Sequence, residues 1–389
     1  MTRAALRVAS ATIRRARYLL PMVVMLAGCA GTPAVVSQLP ADQPPLRLIG
    51  MQQLAADLRH DGILVGGISG MDYDAHSDEW LLASDDRGQH GAARWYRARV
   101  DLRAGDVGEI AITRTVILRQ PDGTPYPASG QPGVPADMEA LRIDPLERSI
   151  WVTSEGDRKA RVPSFVRSAD ANGNFLGELP YPAALQIRPD CECGGRSNQG
   201  MEGMSFSHDG RQIWLAMEAP AIQDGPVAGP GQGALTRISL MERDGRVAAQ
   251  FAYSLDAAPA PQFAGGLVDN GISDILAIGP RGLLVLERAG RQIMGNRFSF
   301  SVRLYEVELF DASLLDPDTP IDHASVRPGV KRLLFDSADL PQGWADNYEA
   351  MAWGPALPSG RRSLMMASDN NFNGGPTRFL LFDAGPSLH

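Results

Sequence analysis

Short apolar runs separated by polar turns dominate this chain, and their period is two rather than 3.6. Trp80-Leu81-Leu82-Ala83, Ile150-Trp151-Val152-Thr153, Ile213-Trp214-Leu215-Ala216, Leu283-Leu284-Val285-Leu286 and Leu364-Met365-Met366-Ala367 read as strands. Each follows turn residues: Ala75-His76-Ser77-Asp78, Asp144-Pro145, His208-Asp209-Gly210, Gly279-Pro280 and Pro358-Ser359-Gly360. Before each turn lies another strand with a Ser or Glu at its head, namely Ser69, Glu139, Glu202, Ser273 and Glu349. After each apolar run comes an acidic tail: Asp85-Asp86, Glu155, Glu218, Glu287 and Asp369. Further strands are expected over residues 94–100, 237–241, 247–255, 303–309 and 377–382. With 41 Gly, 29 Pro and no sustained helical period beyond the first 28 residues, helices should be few.

A strand–turn–strand unit that recurs five times and cannot bury both faces alone points to a radial array. The expected fold is an all-β β-propeller. The repeat heads are 63 to 76 residues apart, whereas a four-stranded blade needs about 40–45. That excess implies either long loops between strands or one blade too degenerate to recognise, so five or six blades are expected, with six preferred. A β-sandwich or β-helix is the alternative, but a sandwich leaves the acidic register unexplained.

The N-terminus carries a different signal. Arg3, Arg7, Arg14, Arg15 and Arg17 precede a short apolar segment over residues 19–25, and Leu26-Ala27-Gly28-Cys29 has the form of a lipobox. Residues 1–28 are expected to be a lipoprotein signal peptide, and Cys29 the lipidated N-terminus of an outer-membrane protein. Residues 29–45 would form a flexible tether, rich in Pro, Ala and Gln, and residues 46–389 one propeller domain. Arg14-Arg15 leaves the export route open.

Net charge is −8 and becomes more negative once those five arginines are removed. This excludes nucleic acid as a partner and favours cations. Only two lysines are present, Lys159 and Lys331, so anions would be recognised by arginine. Cys191 and Cys193 favour a local disulfide over a zinc site, because no histidine pair stands near them.

In a propeller, equivalent repeat positions converge on the axis. Glu139, Glu202 and Glu349, with Asp85 and Asp369, are therefore candidate ligands for a divalent cation, calcium above all. Converging carboxylates repel and need such a cation or arginines to offset them. Arg87, Arg158, Arg196, Arg288 and Arg378 lie beside acidic clusters, where each serves either an anion or an ion pair between blades. Asp369-Asn370-Asn371-Phe372-Asn373-Gly374 matches half of a calcium loop, but Leu380 stands where the closing Glu belongs. The chain has no G-x-S-x-G elbow, no Walker loop and no G-x-G-x-x-G, and its six histidines show no metal spacing.

Ile68-Ser69-Gly70-Met71-Asp72-Tyr73, Asn198-Gln199-Gly200-Met201-Glu202-Gly203-Met204, Ile272-Ser273-Asp274-Ile275 and Asn347-Tyr348-Glu349-Ala350-Met351 resemble the phytase-like domain family of exported bacterial proteins. So do Leu82-Ala83-Ser84-Asp85-Asp86-Arg87, Leu286-Glu287-Arg288 and Ser368-Asp369-Asn370-Asn371-Phe372, and the likeness runs from about residue 60 to 385. The resemblance implies a β-propeller, esterase-like activity and phosphoester hydrolysis with calcium, but supplies no residue-by-residue catalytic assignment. The expected function is metal-assisted hydrolysis of a small anionic ester, with Glu139, Glu202 and Glu349 as ligands or bases and Arg87 and Arg288 as oxyanion clamps. A non-catalytic envelope scaffold and a sugar lactonase remain the alternatives. Oligomeric state is left open.

Overall fold

The computed structural model describes residues 45–102, 106–385 and Leu388. The signal peptide over residues 1–28, the lipidation at Cys29 and the tether up to residue 44 lie outside these.

The strongest apolar runs become strands that are buried on both faces. In Glu79–Ser84, Trp80 and Leu82 point to one side while Leu81 and Ala83 point to the other. Successive side chains of a strand alternate between faces, so a strand packed on both sides reads as a continuous apolar run. Five four-stranded antiparallel sheets are built around such strands. Blade 1 holds Ile68–Asp74, Glu79–Ser84, Arg94–Val100 and Ile110–Ile117. Blade 2 holds Met138–Ile143, Ile150–Ser154, Phe165–Ala169 and Phe175–Leu179. Blade 3 holds Met201–Phe206, Gln212–Met217, Ala234–Glu242 and Val247–Leu255. Blade 4 holds Val268–Ala277, Gly282–Met294, Arg297–Glu308 and Val330–Asp336. Blade 5 holds Tyr348–Ala356, Arg362–Ser368 and Thr377–Ala384, and its outermost strand is Leu46–Leu54 from the start of the domain.

That exchange closes the ring. The first strand of each blade packs against the first strands of both neighbours, blade 5 against blade 1 included. The apolar core is accordingly divided into five large clusters, one per blade interface, with a small sixth of Leu185, Met217 and Ala221. Trp80, Tyr96, Phe379 and Leu381 fill the interface between blades 1 and 5, and Trp214, Phe251, Val285 and Tyr305 that between blades 3 and 4. A divided core lets one domain grow past the size at which a single core stops.

The described residues thus form an all-β propeller with five blades. The sixth blade suggested by the repeat spacing is not among them. The extra length lies in connections instead, such as residues 118–137 between blades 1 and 2, 180–200 between blades 2 and 3, and 309–329 inside blade 4. The second of these carries the disulfide between Cys191 and Cys193, beside a small two-stranded ladder of Ile187–Arg188 and Cys193–Gly194. Helical structure among the described residues is confined to short 3-10 turns such as Ile222–Asp224 and Ser337–Asp339. No helix there is long and apolar enough to cross a membrane.

Candidate functional site

Every innermost strand carries a β-bulge, and each bulge falls on a repeat head. Pairing with the second strand skips Ser69 in blade 1, Glu202 in blade 3, Ser273 in blade 4 and Glu349 in blade 5. In blade 2 it skips Glu139 together with Ala140. A bulge inserts an unpaired residue and re-aims its side chain. Glu139, Glu202 and Glu349 are turned in this way into a central cavity of about 410 Å³. The hydroxyls of Ser69 and Ser273 bond backbone carbonyls of Gly67, Leu286 and Tyr348 instead.

Strand register also sorts the acidic tails. The residue paired just before each bulge is Ser84, Ser154, Met217, Glu287 and Ser368 in blades 1 to 5. The next residue is therefore Asp85, Glu155, Glu218, Arg288 and Asp369, and all of these but Glu218 line the cavity. Blade 4 thus contributes an arginine where the others contribute an acid, which corrects the place given to Glu287 among the acidic tails. A shift of one residue moves a side chain to the opposite face of a strand. Glu287 accepts hydrogen bonds from Tyr253 Oη at 2.6 Å, Asn270 Nδ2 at 2.7 Å and Lys331 Nζ at 2.5 Å, between blades 3 and 4.

All seven candidate residues meet at the one cavity: Asp85, Arg87, Glu139, Glu202, Arg288, Glu349 and Asp369 line it. Their carboxylates fall into three groups whose oxygens lie within 4.8 Å of one another. Asp85, Glu349 and Asp369 form the first, Asp137, Glu139 and Glu155 the second, and Glu155, Glu202 and Glu218 the third. Arg87 lies 2.7 Å from Asp137 and 4.0 Å from Glu155, and donates to Asn198 Oδ1 at 2.9 Å. Arg288 reaches Glu218 of blade 3 at 3.0 Å, Asp269 at 3.4 Å and Glu349 of blade 5 at 3.5 Å.

Burial is the main electrostatic influence here, and neighbouring carboxylates add to it. Together they hold Asp85, Glu139, Glu155, Glu202 and Asp369 well above the usual carboxylate range. Burial raises Glu218 to about 8 despite Arg288, and Glu349 also stands high. Both arginines lose solvation, yet Asp137 beside Arg87 and Glu218 beside Arg288 raise their pKa values and keep them charged.

The next position along the inner strands is small in four blades, with Gly70, Ala140, Gly203 and Ala350, and is Asp274 in blade 4. A Cβ on Gly70 would lie 2.6 Å from the Leu141 nitrogen, so adjacent backbones approach closely there. Both carboxylate oxygens of Asp274 accept from Arg142 Nη2, at 2.7 and 2.8 Å, across from blade 2. Asp274 also accepts from the backbone N–H of Met351 in blade 5. Arg142 Nη1 donates to the Met71 carbonyl of blade 1. This buried pair ties four of the five blades together next to the bulge ring.

Other sequence candidates lie elsewhere. Arg158 bonds the carbonyls of Cys191 and Cys193, Arg196 those of Pro220 and Gly225, and Arg378 pairs with Asp346. The half calcium loop is an Asn-rich turn. Asn370 Oδ1 accepts from the N–H of Gly67 and Phe372, and Asn373 Oδ1 from that of Gly375. Sequence reasoning gave no role to Asp137, Asp269 and Asn347, or to the rings of His90, Phe298, Phe300 and Phe372 on the cavity wall, although Asn347 and Phe372 stand within the motifs quoted above. Asp137 and Asn347 precede the strand heads Glu139 and Glu349 by two residues, a spacing that does signal a second polar position.

Three groups of hard oxygen donors, largely buried and mutually repelling, fit a divalent cation of the calcium or magnesium type. Asn347 supports that fit. Its Oδ1 is buried without a hydrogen-bond partner, while its Nδ2 donates to Asp369 at 3.2 Å.

A family model described as "Phytase-like: Esterase-like activity of phytase" matches residues 63–372. A search of curated proteins finds no match. Among solved structures, one described as "Structure of Dos1 propeller" is similar at 8% identity and a TM-score of 0.29. The match covers 81% of this chain and 66% of that one, so the chain spans just under two thirds of that structure's length.

Proposed function

The chain belongs to the phytase-like family, and on that premise we propose that it is an exported hydrolase of phosphate esters that works with a bound divalent cation, calcium. The observation that carries this reading is the convergence of three carboxylate groups on one cavity that also holds two charged arginines. Asp85, Glu349 and Asp369, or Asp137, Glu139 and Glu155, or Glu155, Glu202 and Glu218, would hold the cation. When bound there, a divalent cation supplies Lewis acidity and an activated water.

The remaining work falls to the chain's own groups. Glu202 and Glu139, whose carboxyls are held high by burial and neighbouring acids, are the candidate groups for proton transfer. The side chain of Arg87 is 36% exposed and opens on the cavity. It is the group suited to clamp phosphate oxygens. Arg288 is only 12% exposed and is held by three carboxylates, so it acts on the site chiefly by positioning Glu218 and Glu349. Export and anchoring through Cys29 belong to the same proposal. The Cys191–Cys193 disulfide supports it, since such bonds persist in oxidising compartments.

The test is turnover of a phosphate monoester and a carboxylic ester, with calcium and after chelation. Chelation and Glu202→Gln should each reduce phosphate-ester turnover by at least a hundredfold, with the fold retained by circular dichroism. Unchanged turnover in both would sink the proposal. The ties from Arg288 to blades 3 and 5 favour a second reading, in which the acids serve as glue in a non-catalytic scaffold. On that reading Glu202→Gln lowers the melting temperature, and an ester screen that includes lactones stays silent.

A further inference from the structure

The cavity wall carries aromatic rings that the hydrolytic chemistry leaves unused. In blade 4 the strands Gly282–Met294 and Arg297–Glu308 are far longer than the second strands of the other blades, and their hairpin extends past the blade. Phe298 and Phe300 stand two residues apart on that extension, so they share one face of the strand. Their rings stack at 6.2 Å and both line the cavity. A second ring pair comes from blades 1 and 5. His90 and Phe372 stack at 4.1 Å with planes 13° apart, and both also line the cavity.

Phe372 is held there against its backbone preference. Its φ is +47°, and that of Asn371 is +48°. The left-handed region is uncommon for non-glycine residues and a genuine outlier for bulky ones. Phe372 stays in it because Asn370 Oδ1 accepts from its N–H. Its ring also lies so close to Gly66 and Gly67 that a Cβ on either would come within 3.0 Å. Strain of this kind persists at ligand-binding positions when the surroundings fix it.

The cations of the cavity point the same way. Arg87 and Arg288 are both already engaged by carboxylates, so the cavity offers little to a substrate with many phosphates. Planar rings instead offer a stacking surface for the organic part of a ligand. Resting on the ester-hydrolase reading, we propose that the substrate is a monoester whose alcohol carries a planar, apolar ring. The ring docks on Phe298, Phe300 and Phe372 while the esterified acid faces the carboxylates and Arg87. Hydrolysis adds water across the ester bond and releases the acid and the ring-bearing alcohol, whose oxygen takes one proton of that water.

The experiment compares 1-naphthyl phosphate with glycerol phosphate in the wild type and in Phe298→Ala/Phe300→Ala. A second variant, Phe372→Asn, removes a ring while keeping a residue that tolerates the left-handed backbone. In each variant the ratio of kcat/KM for the naphthyl ester to that for the glycerol ester should fall about tenfold, or about 1.4 kcal/mol, through a rise in KM. Because each variant is compared on both substrates, the better leaving group of the aryl ester cancels. An unchanged ratio in both variants overturns the proposal. If neither ester is turned over, the hydrolase reading fails by itself, and calorimetric binding of 1-naphthyl phosphate decides the ring site. Binding that weakens about tenfold in the variants upholds it. Equal binding, or none to the wild type, overturns it, as does tighter binding of inositol hexakisphosphate than of the naphthyl ester.

Discussion

Arg142 and Asp274 show how much one buried pair can carry in this ring. Asp274 is fully buried and Arg142 nearly so, and between them they touch blades 1, 2, 4 and 5. Burial raises the Asp274 carboxyl to about 6, against the pull of Arg142. Removing one partner strands the other charge in a dry interior, which costs about 3–5 kcal/mol, whereas an apolar replacement of both is often tolerated. Asp274→Ala should therefore lower the denaturation midpoint far more than the double variant Arg142→Met/Asp274→Leu. A double variant as unstable as the single one would show that backbone bonds to Asp274, rather than the ion pair, hold the blades. The same scale explains the misplaced Glu287. Its chemistry matches the other tails, and Arg288 does not, so a reading by residue type chose the acid. Only strand pairing shows that Arg288 occupies the equivalent position.

At the scale of the element, the innermost strand combines two demands, a bulge that turns one side chain into the cavity and a small residue beside it. Gly70 meets the second demand. A Cβ there would lie 2.6 Å from the Leu141 nitrogen and 2.8 Å from the Ala140 carbonyl carbon, both backbone atoms that cannot rotate away. Gly70→Ala should cost about 1–3 kcal/mol by overpacking, read as a lower midpoint in urea. Gly279→Ala, with open space around the added methyl and a φ outside the left-handed region, controls for the general effect of adding a side chain. Equal losses in both would mean that the inner strands are free to move apart. The second strands were legible in the sequence because both their faces are buried, which produces unbroken apolar runs such as Trp80-Leu81-Leu82-Ala83. Outer strands were harder to read. Val330–Asp336 is mostly exposed or half-buried, so its pattern is faint, and Ile110–Ile117 alternates weakly. Leu46–Leu54 pairs with Thr377–Ala384 at the far end of the chain, a partnership that no local pattern encodes. Blade number failed for a related reason. Spacing counts residues, and here the surplus residues are loops.

At the scale of the whole molecule, the ring gathers carboxylates from four blades around one cavity, and that makes stability depend on both pH and cation. A carboxyl whose folded pKa exceeds its unfolded one binds more protons in the folded state. Its contribution to stability is complete below the unfolded pKa, and it is lost as pH rises through the folded pKa. Glu218 moves from 4.5 to about 8, and Glu139, Glu155, Glu202 and Asp369 shift in the same direction. Metal-free protein should therefore lose stability steadily between about pH 5 and pH 8. A divalent cation acts oppositely, because it binds the ionised carboxylates and only in the folded ring, where they converge. The difference in melting temperature between calcium-loaded and chelated protein should be small near pH 5 and should widen with each step to pH 8. Scanning fluorimetry at four pH values, with and without calcium, measures it directly. A gap that stays constant with pH would mean that the cation binds elsewhere, or that the ring is neutralised by its arginines alone. In the second case the melting temperature of the chelated protein would itself be flat across the same range, which separates the two explanations.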